Sequence, residues 1–423
     1  MSVTARLSQR TTWAEGQPIS ELMSRALANP NLISLAAGFV DQQTLPSAPT
    51  KAALDAIFAD DEESLAALQY GTTPGYPPLR EALLDWIRRE DGIDDSVSID
   101  RVIVTAGSNQ LLHLIGESLI DPGDIVLCAA PTYLVFLGTL GNIGARSIGV
   151  TSDEQGMIPD ALEASLQQIE AKGELHRVKA IYVVPYFDNP CGITMPFERQ
   201  AAIVDIAKQW SRDGKIHVIA DAAYRELRYW GDDISSMHTC DEEHDTVVVA
   251  GTFSKCFSPG IRVGWGILPE HLVDPVCNQK GNIDFGSPNF SQHLMAKVLQ
   301  LNLIESHVQQ LRIGYRDKLN AMHDAMVEFL LPIPGVHWTK PDGGLYIWLE
   351  LPDTINTGPT GLLFDTAVAE GVLYVPGQFC FPSEGEPVRH NSMRLSFGVQ
   401  SGEKIREGIQ ALARAVERVR GER

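Results

Sequence analysis

Lys255 closes the segment Thr246-Val-Val-Val-Ala-Gly-Thr-Phe-Ser-Lys255, three residues after Thr252 and seven before Arg262. The run Thr246 to Ala250 reads as a short buried strand, so the lysine emerges at a carboxyl end, where open α/β sheets hold their ligands. To attack an aldehyde a lysine must lose its proton, and its ordinary pKa of about 10.4 has to be lowered by burial or by neighbouring cations. Arg262 is such a cation, and its planar fork suits a phosphate. Thr252 and Ser254 add hydroxyl donors, while Gly251 lets backbone come close. A lone lysine is usually a solvated surface charge. These neighbours point instead to an amine that takes up a phosphate-bearing aldehyde.

Other residues along the chain complete that chemistry. Asp221 ends the apolar run Ile216-His-Val-Ile-Ala, where it can keep a pyridine nitrogen protonated or, more plainly, cap a helix. Tyr224 and Asn189, the latter in Asn189-Pro-Cys-Gly192, can hydrogen-bond a ring oxygen, although Asn-Pro with a later glycine also marks a simple turn. In Thr105-Ala-Gly-Ser108-Asn-Gln110 a strand passes into a helix start, whose free N–H groups and Ser108 hydroxyl can receive phosphate or can stand without a ligand. Tyr133 follows the run Ile125 to Cys128 and can cover a ring face or pack in the core. Arg394 alternates with Met393 and Leu395, as a surface charge or as a bidentate fork for a carboxylate. Tyr70 sits in a turn-rich loop before a helix. A Schiff-base lysine, a phosphate cradle, an anion for the pyridine nitrogen, donors to the ring oxygen and a flat cover are what pyridoxal phosphate needs.

The elements that must hold these residues alternate between strand and helix. Strands are predicted at Arg101–Thr105, Ile125–Cys128, Ser147–Val150, Ala180–Val184, His217–Ala220, Thr246–Ala250 and Gly264–Ile267, with helices at Gln110–Ile120, Pro159–Ala171, Pro196–Arg212 and Glu270–Asn278. This spacing predicts a largely parallel sheet covered on both faces. A long amphipathic helix follows, with Leu311, Tyr315, Leu319, Met322 and Met326 at intervals of three and four. After it, Gly344-Leu-Tyr-Ile-Trp, a helix near Leu362–Glu370 and the strand around Arg394 read as a smaller α+β domain. The expected division is an N-terminal arm over 1–45, a large domain over 46–305 and a small domain over 306–423.

A formal charge of −20, with no runs of Lys or Arg, argues against nucleic-acid and anionic-membrane partners. The six cysteines include no C-x-x-C pair, which favours reduced thiols over a disulfide framework or a metal site, and no metal is expected. No apolar stretch has signal-peptide or bilayer-spanning length, so a soluble, cytoplasmic protein is expected.

Taken in order, Ile33-Ser-Leu-Ala-Ala-Gly38, Tyr70-Gly-Thr-Thr-Pro-Gly-Tyr76, Gly107-Ser-Asn-Gln110, Asn189-Pro-Cys-Gly192, Asp221-Ala-Ala-Tyr224, Thr252-Phe-Ser-Lys255, Ser258-Pro-Gly-Ile-Arg262, Pro341-Asp-Gly-Gly344 and Arg394-Leu-Ser resemble the fold-type I, class I/II pyridoxal-phosphate aminotransferases. The resemblance runs from about Ser20 to Arg420 and is strongest to the branch of 2-aminoadipate and kynurenine aminotransferases and MocR-type effector domains. It implies a large domain with a mostly parallel seven-stranded sheet between helices, plus the smaller domain. It implies that Lys255 forms the Schiff base and then shuttles the proton between Cα and C4′. Asp221 pairs with the pyridine nitrogen, Asn189 and Tyr224 bind the ring oxygen, and Tyr133 stacks on the ring. Ser108, Asn109, Thr252 and Arg262 hold phosphate, with Tyr70 reaching it from the partner subunit of a homodimer with shared active sites. Arg394 takes the substrate α-carboxylate, helped by Asn189 and the Gly38 backbone. The implied activity moves an α-amino group to a 2-oxo acid, 2-oxoglutarate being the expected acceptor, by a ping-pong cycle through pyridoxamine phosphate. A lyase or decarboxylase on the same fold and a non-catalytic regulatory module are the alternatives. Departures fall at Ser20 and Glu21, where aminoadipate enzymes can carry an arginine, at Ala37 in place of a glycine, and at Cys191 in place of a threonine.

Overall fold

The computed structural model describes residues 6–421, apart from 15, 17, 19, 21, 23, 25–27, 30 and 37. All seven expected strands form and lie side by side. From one edge to the other they are Arg146–Asp153, Ile125–Ala130, Val178–Val183, His217–Asp221, Val247–Thr252, Gly264–Ile267 and Val102–Thr105. Two-residue pieces, Glu384–Gly385 and Gly156–Met157, pair with Arg146–Asp153 and bring the sheet to nine strands. Burial explains the composition: His217–Asp221 and Val247–Thr252 are buried at every position, because helices cover both faces.

Gly264–Ile267 is antiparallel to both its neighbours, Val247–Thr252 and Val102–Thr105. Two reversals restore the original direction, so Val102–Thr105 runs with the parallel strands and its carboxyl end opens on the same edge of the sheet. There the strands ending at Thr105, Ala130, Val183, Asp221 and Thr252 release the loops that carry the site. Sheets of this kind bind ligands along that edge.

Local signals place every expected strand, and several limits differ from those expected. Val247–Thr252 runs past the expected stop at Ala250, because Gly251 and Thr252 pair with Trp265 and Gly264 across the antiparallel step. The helix beginning at Glu270 continues to Asp284 rather than stopping at Asn278, with Pro275 inside it. The amphipathic helix spans Leu303–Phe329 and buries the whole expected stripe from Leu311 to Met326. Its 27 residues reach about 40 Å. Beyond it a four-stranded antiparallel sheet is ordered His337–Trp338, Tyr346–Glu350, Ser392–Ser396, Val375–Pro376. The strand Ile33–Ser34 returns to pair in parallel with Val372–Leu373. No helix among the described residues is long and apolar enough to cross a membrane.

Candidate active site

Every residue given a role in the expected site, except Tyr70, lines one cavity of about 280 Å³ between the sheet edge and the strands Tyr346–Glu350 and Ser392–Ser396. Lys255 sits on the turn after Val247–Thr252, and its Nζ donates to Gly38 O at 2.8 Å. Burial lowers its pKa, and Arg394 and Arg262 push the same way against Tyr346 and Asp221. The structure thus supplies the desolvation and the cations that an uncharged lysine requires.

At one end of the cavity the groups suit an oxyanion. The helix Ser108–Leu119 starts at Gly107 without a side-chain cap, so its first amide hydrogens face the cavity mouth uncommitted to a cap. Gly107 holds φ +85°, and a Cβ there would fall 2.3 Å from Arg262 Nη2. Gly264 approaches from below, where a Cβ would meet Ser108 N at 2.5 Å. The turn is therefore open on both sides only because these positions have no side chain. Arg262 adopts φ +50° and donates to Ala106 O at 3.0 Å and Ser254 Oγ at 3.4 Å. Thr252 Oγ1 donates to Ser254 Oγ at 2.8 Å. Beside them, Tyr133 OH donates to Asn109 Oδ1 at 3.3 Å, and burial pushes the phenol far up, with Asp221 adding to it.

At the other end stands a buried carboxylate. Asp221 ends its strand 3% exposed, and no helix follows for it to cap. Oδ1 accepts from the Ala223 amide at 3.1 Å and Oδ2 from Tyr182 OH at 3.0 Å. Burial nevertheless pushes its pKa up to about 6. Asn189 Nδ2 donates to Tyr224 OH at 3.2 Å, and Tyr224 OH lies 3.2 Å from Tyr346 OH. Arg394, far from a surface charge, is 2% exposed. Its Nη1 donates to Asn189 Oδ1 and its Nη2 to Ala36 O, both at 2.8 Å, while its guanidinium lies 4.3 Å from the Tyr346 ring centre. Its buried Nε has no partner among the described residues.

Tyr70 lies outside this cavity, 83% exposed, with its ring edge-on to Phe285 at 5.9 Å. Two contributors escaped the sequence reading. Tyr346 opens the strand Tyr346–Glu350 ahead of Ile347, Trp348 and Leu349, and Tyr182 is the one hydroxyl in the strand Val178–Val183. A buried phenol needs a partner, but only strand order reveals that Tyr182 meets Asp221. Cys191 lines a neighbouring cavity of about 210 Å³ with Trp348 and Asp188, not this one. Ser20 is exposed, whereas Glu21 and Ala37 lie outside the described residues.

A carboxylate, an amine of lowered pKa and an anion cradle, arranged in that order along a sheet edge, fit pyridoxal phosphate, and the partnerless Arg394 Nε marks a further place for an anion. The fold and site define a pyridoxal-phosphate-dependent aminotransferase. A family model for aminotransferase class I and II matches residues 30–412, and the chain belongs to that family. It is 35% identical over 413 residues to the aromatic-amino-acid aminotransferase 1 of Thermococcus litoralis, covering 97% of this chain and 93% of that protein. To the 2-aminoadipate transaminase of Thermus thermophilus it is 30% identical, over 95% of this chain and 94% of the other. The crystal structure of Pyrococcus horikoshii kynurenine aminotransferase superposes with a TM-score of 0.90 at 33% identity, over 97% of each chain.

Proposed function

We propose that this aminotransferase moves the α-amino group of an apolar or aromatic amino acid to 2-oxoglutarate in a ping-pong cycle, the first product leaving before the acceptor binds. The observation that carries the reading is Lys255 Nζ, of lowered pKa, in one cavity with Asp221 and the two-point fork of Arg394. When bound, pyridoxal phosphate supplies the electron sink for a carbanion at Cα. Ser108, Asn109, Thr252 and Arg262 would hold its phosphate and Tyr133 its ring face. Asn189 and Tyr224 would bind the ring oxygen, and Asp221 the pyridine nitrogen.

The chain's own residues then do the following. Arg394 and Asn189, with the Gly38 backbone, fix the substrate carboxylate and so orient the Cα–H bond. Lys255 takes the proton from Cα as a neutral amine and returns it on the far side of the substrate nitrogen, which its lowered pKa favours. Phe39, Leu134 and Val135 form the apolar part of the wall, and its cations are Lys255, Arg262 and Arg394. Each of these has a task already, so among the described residues no lining cation remains for a side-chain carboxylate. This, with the aromatic-amino-acid and kynurenine aminotransferases among the relatives, supports an apolar or aromatic donor. Tyr70, with Leu68 and Phe285 in one exposed apolar group, would complete the phosphate site of a second copy in a homodimer.

Steady-state kinetics with an aromatic donor and 2-oxoglutarate test the reading. Parallel double-reciprocal lines and equimolar glutamate are expected, with a loss of about 10³-fold or more in Lys255→Ala. Intersecting lines would overturn the ping-pong order. Release of ammonia or carbon dioxide in place of glutamate would overturn transfer itself.

A further inference from the structure

A second cationic pocket, of about 230 Å³, lies on the exposed side of the helix Leu303–Phe329. Arg312 and Arg316 stand one turn apart on that helix, and Arg228 faces them from the loop that follows Tyr224. Like charges at this spacing repel. Acids compensate them in part, Glu226, Asp233 and Glu90 acting on Arg312. Arg312 donates its Nε to Glu226 O at 2.7 Å, and no carboxylate among the described residues lies within ion-pair distance of it. Arg316 has Asp317 at 3.8 Å, an exposed neighbour in sequence. Arg228 has Asp233 at 3.8 Å, which is shared with Arg225 at 3.6 Å. Lys340 adds a fourth cation, its Nζ 4.6 Å from the Trp230 ring centre. In a chain of net charge −20, a pocket lined by three arginines and no carboxylate among the described residues is arranged for an anion that is not part of the chain.

We propose that this pocket binds the diphosphate group of a small metabolite, with Arg228, Arg312 and Arg316 as its ligands. Four residues of helix rise about 6 Å, so arginines lining the pocket from two elements can meet more than one anionic centre. A carboxylate presents one edge of two oxygens, whereas linked phosphates present several. The site also touches the active site through backbone. Tyr229 and Trp230 donate to Asp342 O at 2.8 and 3.1 Å, and Gly344 donates to Leu227 O at 2.9 Å, two residues before Tyr346. A bound diphosphate ties the long helix to the turn that carries Tyr346 into the catalytic cavity.

The test is isothermal titration of the holoenzyme, its phosphate cradle already filled by cofactor, with inorganic pyrophosphate. One saturable equivalent per chain is expected. Arg312→Gln and Arg316→Gln should each weaken it by about 10- to 100-fold, the loss of one charge-assisted contact. Arg406→Gln, which breaks an exposed pair with Glu328, should leave it unchanged. Arg316 is exposed enough that its variant keeps the fold, and its basal turnover should stay within about twofold of the parent. Absence of saturable binding, or binding untouched by both substitutions, overturns the proposal. Citrate binding as tightly as pyrophosphate overturns the assignment to phosphate chemistry.

Discussion

Replacing Asp221 by asparagine separates what this carboxylate costs the fold from what it does for the cofactor. Burial raises its pKa to about 6, from the ordinary value of 3.8. Below about pH 4 the group is protonated in both folded and unfolded chains and has no effect on their balance. Between about pH 4 and 6 the unfolded chain ionises first and binds fewer protons, so stability falls as pH rises. Above about pH 6 the penalty is complete, at about 3 kcal/mol. Asparagine cannot ionise. In the cofactor-free protein, the stability gap of Asp221→Asn over the parent should therefore widen by about 3 kcal/mol from pH 4 to pH 7, measured by urea denaturation at each pH. The slope of the gap carries the inference, because an altered hydrogen bond to Tyr182 or Ala223 shifts both ends alike. With pyridoxal phosphate added the order should reverse at pH 7, since only the carboxylate can neutralise a pyridinium. A gap that stays flat across pH, or an asparagine variant that loses stability towards pH 7, would refute the reasoning.

Two further perturbations follow from the geometry. Gly107→Ala places a Cβ 2.3 Å from Arg262 Nη2 at φ +85°, so cofactor affinity should fall by about 10- to 100-fold, read by fluorescence titration of the apoprotein. Arg394→Lys removes the fork that reaches Asn189 and Ala36, and should raise KM for both amino and 2-oxo acid by about 10-fold or more. If kcat fell with KM unchanged, Arg394 would not be the carboxylate's holder.

Much of this arrangement was legible because local chemistry is written locally. Apolar runs ended in Asp221 and Lys255, and both stand at the sheet's ligand edge. Arg394 looked equally like a surface charge until its strand was seen buried at all five positions. Asp221 looked equally like a helix cap until its loop proved non-helical. Cys191, which stands in place of a threonine, lines the next cavity. Tyr70 alone was drawn into the site by motif and left outside it by the single chain.

By itself, then, the sequence determined the alternation of elements, the identity of the chemical groups and the family to which they belong. These depend on residue type and on spacing along one segment. Tertiary structure decided which groups meet. Tyr182 reaches Asp221 because two strands far apart in sequence are neighbours in register, and Tyr346 reaches Tyr224 and Arg394 because a second sheet closes over the first. The strand that ends at Thr252 gained its last two residues from an antiparallel partner. Each of these rests on contacts between segments far apart along the chain, where strand order and register, rather than local propensity, set the distances.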